Sequence, residues 1–69
     1  MKAKTLAARR AAALIIHYRK QHGLVGKDRE TVTVDLLIDL LHYCDRQGYD
    51  FASLEERARE HYLAELSEE

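Results

Sequence analysis

The stretch TVTVDLLIDLLHYCDRQG, residues 31–48, decides the fold. Its opening TVTV is β-branched and can begin a strand. No other segment of the chain offers a partner for it, and an isolated pair of strands is barely stable in water. Read with a helical period, the stretch becomes a helix over about 33–47, closed by Gly48 as a left-handed cap. Thr31 or Thr33 is suited to the N-cap, and Asp35 to the first turn. Spaced at about 100° per residue, Val34, Leu36, Leu37, Ile38, Leu40, Leu41, Tyr43 and Cys44 cover about 220° of the circumference. Only Asp35, Asp39, His42 and Arg46 face the other way. A helix so widely apolar has to be enclosed.

What encloses it lies on either side. Residues 3–22 are rich in Ala, Leu, Arg and Lys, strong helix formers, and Gly23 stands where a C-cap belongs. The connection GLVGKDRE follows. After Gly48, a third helix over about 51–66 starts either at Asp50, with a staple from Tyr49 to Leu54, or from a Ser53–Glu56 capping box. Ala7, Ala11, Leu14, Ile15 and Tyr18 form the expected core stripe of the first helix. Phe51, Leu54, Ala58, Tyr62 and Leu66 form that of the third. The prediction is an all-α three-helix bundle, a single domain over residues 1–69. Two flanking helices of modest apolarity do not cover the second, so the chain is expected to form a homodimer with that helix at its centre.

Length and composition agree. At 69 residues the chain is near the lower limit for a single core. With one cysteine, Cys44, it has no intrachain disulfide. Cys44 reads as a small buried hydrophobe in a reducing cytoplasm. The longest apolar run, residues 11–16, is far too short to span a membrane. The Arg-rich, acid-free N-terminus superficially fits an organellar transit segment, but reads better as the first helix. Net charge is −1, yet residues 1–29 carry eight Lys/Arg and one Asp, and residues 30–69 carry three Arg and eleven Asp/Glu. Such a division points to a charged partner, or to halves that neutralise one another within the fold or across a dimer.

The dipeptide His-Tyr occurs three times, at 17–18, 42–43 and 61–62. On a helical wheel each Tyr falls on or beside a core stripe, and each His lies about 100° away toward water. The three His therefore do not converge. Asp39 and His42 form the best local metal pair, but two ligands are not a site, and no cofactor is expected. The first two His-Tyr segments align at an offset of 25 residues and end in the same Gly, which shared C-cap chemistry explains. No phosphate loop, nucleophile elbow or base-paired nucleophile is present, so the chain is not expected to be an enzyme.

Asp35, Leu36, Leu37, Asp39, Leu40, His42, Cys44, Asp45, Gly48, Asp50 and Phe51, followed by Ala58, Arg59, His61, Tyr62 and Glu65, make a pattern over the second half of the chain. It resembles a class of short bacterial proteins associated with phages, plasmids and integrative elements. The resemblance implies a bacterial or phage setting and an accessory role. It carries over no functional residue.

Two functions compete. The first is an interaction module that docks on a protein partner, with Asp35, Asp39, His42 and Arg46 as its polar edge. The second is nucleic-acid binding by the basic first helix, through Arg9, Arg10, Arg19 and Lys20, helped by Lys2, Lys4, Lys27 and Arg29. The acidic remainder of the chain and the apolar second helix, which does not suit a major groove, weigh against the second.

Overall fold

The computed structural model describes residues 3–68, with side chains from residue 5 onward. It is all-helical, with α1 at Ala3–Gln21, α2 at Arg29–Gln47 and α3 at Phe51–Ser67. No strand occurs among the described residues. Helix α2 starts a turn earlier than the sequence suggests, with Asp28 rather than Thr31 or Thr33 at its N-cap. The Val32 amide donates to the Asp28 carbonyl at 3.1 Å, closing that first turn. TVTV is thus helical. Its Thr33 hydroxyl donates to the Arg29 carbonyl at 2.8 Å, the internal bond that lets threonine sit within a helix.

Both interhelix turns are built alike. Gly23 and Gly48 adopt left-handed φ of 67° and 76°, a conformation open to glycine without a Cβ penalty. At the first turn the Leu24 amide reaches back to the Arg19 carbonyl and the Gly23 amide to that of Lys20. At the second, the Tyr49 amide bonds Cys44 and the Gly48 amide bonds Asp45. These are two Schellman caps, each following a His-Tyr segment. In the second, the Tyr43 and Tyr49 rings meet edge-on at 6.3 Å, the apolar contact such caps favour. Helix α3 begins at Asp50, whose carboxylate accepts from the Ser53 hydroxyl at 2.7 Å. Of its two sequence-level starts, the Asp50 start is the one adopted.

The centre of the single chain is thin. Val32 is fully buried and Cys44 is 5% exposed. Ala7, Ile15, Ile16 and Tyr18 on α1, Leu36 on α2, and Phe51 and Leu54 on α3 are partly covered. The expected stripes are filled only in part. Ala11 and Leu14 are exposed, and so are Ala58, Tyr62 and Leu66 on α3. Tyr43 and Tyr62 do not bury their rings within one chain, and of the three His-Tyr tyrosines only Tyr18 is partly covered. On α3 the partly covered residues, Phe51 and Leu54, lie in the first turn, and the other described residues are exposed.

Two global quantities describe the same openness. The chain presents 5750 Å² to solvent, whereas a folded monomer of 8.0 kDa presents about 4,450 Å². Its radius of gyration is 14.0 Å, against about 11 Å for a compact chain of this length. The shape is a plate of 38 × 34 × 15 Å.

Candidate functional site

Helix α2 has two apolar faces, and the chain uses one of them. Val32, Leu36 and Cys44 lie on the side turned to α1 and α3, where the covered residues concentrate. Val34, Leu37, Ile38 and Leu41 follow the i, i+3, i+4, i+7 spacing of a single helix face, about 140° around from the first. All four are exposed, between 44% and 51%. Adjacent side chains of this kind at helical spacing make a continuous apolar strip, the surface that marks an interface.

The polar stripe runs beside α1. The Tyr18 hydroxyl donates to Asp39 Oδ2 at 2.5 Å. The Lys27 ammonium, from the turn between α1 and α2, pairs with Asp35 at 3.4 Å. Two of the four stripe residues therefore tie α2 to the preceding segment. His42 and Arg46 remain exposed. Within α1 and the turn after it, the His22 ring packs against that of Tyr18 at a centroid distance of 4.5 Å and a tilt of 45°. The sequence wheel places Asp39 at helix α2's outer edge. What it could not supply was the rotation of α2 about its axis, which brings that edge to Tyr18.

The bond has an electrostatic signature. The Tyr18 hydroxyl is pushed up to about 12 from 10.0, first by the hydrogen bond to Asp39, then by partial burial and by the charges of Asp39 and Asp35. A raised tyrosine favours the protonated folded state. Its contribution is therefore complete below the ordinary tyrosine value and disappears as pH rises through the folded value. Ultraviolet titration should show one of the four tyrosines ionising late. Tyr18→Phe should remove that late step, and Asp39→Asn should return it toward the ordinary range. Four tyrosines ionising together would mean the bond is not formed in solution.

The basic residues of α1 do not share one face. Arg9 and Lys20 project to the same side, Arg10 lies about 100° away, and Arg19 falls opposite Arg10. Arg9, Arg10 and Lys20 are exposed, while Arg19 is partly covered and its Nε is shielded from both solvent and any hydrogen-bond partner. Lys2 lies outside the described residues, as does the side chain of Lys4. Among the described residues there is no cavity. Nor do three or more His, Cys, Asp or Glu come together as metal donors. Compared with known proteins, the chain matches no family model, no curated protein and no solved structure.

Proposed function

We propose that the chain is a non-enzymatic helical interaction module that forms a homodimer through α2 and presents the dimer to a protein partner. The observation that carries this reading is the uncovered strip Val34, Leu37, Ile38 and Leu41 on a helix whose opposite face is already packed. Covering the remaining half of each of these side chains is worth about 1 kcal/mol apiece, or about 8 kcal/mol for a symmetric pair of strips. Association costs about 4–15 kcal/mol in lost freedom. The strip alone therefore roughly breaks even, and a stable dimer draws on further surface. The chain has it, since the excess over a compact monomer is about 1,300 Å² and a standard interface takes about 800 Å² per partner. His42 and Arg46, exposed beside the strip, are the polar groups left for a second protein.

The setting proposed with this function is a reducing cytoplasm, bacterial or phage-derived. Its support is the buried free thiol of Cys44 and the resemblance over residues 35–65. No described helix is long and apolar enough to cross a membrane.

Sedimentation equilibrium tests the dimer directly. The expected mass is twice 8.0 kDa, with a melting temperature that rises with protein concentration. A monomer with concentration-independent melting would remove the reading. The rival is nucleic-acid binding through Arg9, Arg10, Arg19 and Lys20, favoured by the exposure of Arg10 and Lys20 and weakened by the partial burial of Arg19. A fluorescent duplex titrated at about 50 mM salt separates the two, because phosphate contacts bind best there and weaken steeply as salt is added. No binding is expected.

A further inference from the structure

We infer that α3 is an exchanged arm, packing along α1 of a second copy of this chain with apolar stripe against apolar stripe and acid against base. The inference rests on the homodimer proposed above. Beyond Leu54 every described residue of α3 is exposed in the single chain. Ala58, Tyr62 and Leu66 nevertheless repeat every four residues as a packing stripe does. Helix α1 has a matching ridge on an uncovered flank, Leu6, Arg10 and Leu14, also spaced by four. Ridges of this pitch interlock in the commonest helix crossing. Both stripes span about 12 Å along their axes, at 1.5 Å per residue.

Charge selects the occupant. The sequence of α1 holds Lys4, Arg9, Arg10, Arg19 and Lys20 and no acid, whereas α3 holds Glu55, Glu56, Glu60 and Glu65 against Arg57 and Arg59. Arg59 is already engaged by Glu55 one turn before it, through Nε at 3.1 Å and Nη2 at 2.5 Å. Glu65 borders the stripe on its Ala58 side, between Tyr62 and Leu66 along the axis, while Arg10 lies between Leu6 and Leu14. The complement of α3 is therefore present in the same sequence, yet both stripes are exposed in one chain. A two-fold pair covers both twice, each arm lying on the other chain. It also accounts for surface that the α2 strip alone leaves open.

The test is a charge-reversal cycle in the full chain, read by sedimentation equilibrium with helicity checked by circular dichroism. Arg10→Glu and Glu65→Arg should each weaken the dimer about tenfold, since each puts like charges together at two symmetric contacts. The double variant restores opposite charges and should return to within about threefold of wild type, the coupling such a cycle isolates. Both positions are exposed in the single chain, so helicity should be unchanged. A wild-type dimer unaffected by either reversal, or weakened by both without restoration in the double variant, overturns the arm and leaves the α2 interface standing. A monomeric wild type overturns both.

Discussion

Replacing Leu37 and Leu41 together by Asp is expected to convert the protein from dimer to monomer, with association weakened at least about 100-fold. Both residues are exposed within one chain. The packing of α1 on α2 therefore does not need them, and helical content at high concentration should survive. The proposed association does need them. Each chain loses two half-buried leucines and gains two carboxylates facing their symmetry mates across an apolar strip, where unpaired charge is strongly disfavoured. The melting temperature should fall and lose its dependence on concentration. If the double variant sediments as the wild type does, the dimer is not held by this face.

The second large effect is expected at Val32. It is the one described residue with no exposure at all. Val32→Ala should cost about 2 kcal/mol, by lost methyl burial and an incompletely collapsed cavity. A core of this size supplies only about 3–5 kcal/mol in total, so close to half of the stability is at stake. Val34→Ala makes the natural comparison. It removes the same atoms two residues further on, from a side chain that is 51% exposed and on the other side of the helix. Urea unfolding at low concentration should register the first substitution strongly and the second weakly. Association measurements should reverse the order. Equal effects in both assays would contradict the assignment of the two valines to separate faces.

The contrast between these valines shows how far the sequence could be read. Helical identity, the number of helices and the two glycine ends were legible, because Gly23 and Gly48 punctuate runs of strong helix formers and nothing pairs with TVTV. The start of α2 was not. Asp28 and Thr33 are both good N-caps, and the extra turn is decided by tertiary contact, since it is what delivers Val32 to the interior. The breadth of the apolar arc on α2 was visible, and so was the inference that one chain does not enclose it. Which part of the arc faces inward was not visible, because a wheel fixes angles between residues and leaves the rotation of the helix free. That rotation carries Asp39 to Tyr18 and leaves Leu37 and Leu41 outside. For α3 the periodicity marked Ala58, Tyr62 and Leu66 as core, and all three are exposed in the single chain. Burial patterns in a sequence do not distinguish contact within a chain from contact between chains. The His-Tyr repeat has two outcomes: two occurrences mark the approach to a glycine cap, and the third lies on the exposed part of α3.

The two Schellman caps carry a kinetic consequence. Each turn closes through bonds between residues only three to five positions apart, such as Leu24 to Arg19 and Tyr49 to Cys44. The C-terminal ends of α1 and α2 are thus fixed by neighbours along the chain, before any distant contact forms. Chains organised by such local contacts acquire their outline rapidly, whereas pairing of two molecules is limited by encounter. For the proposed dimer, folding and assembly then separate in time: a fast step independent of protein concentration, followed by a slower one that accelerates as molecules become more abundant. In a cell, the copy number would on that proposal set how long each newly made chain waits with its apolar strip uncovered.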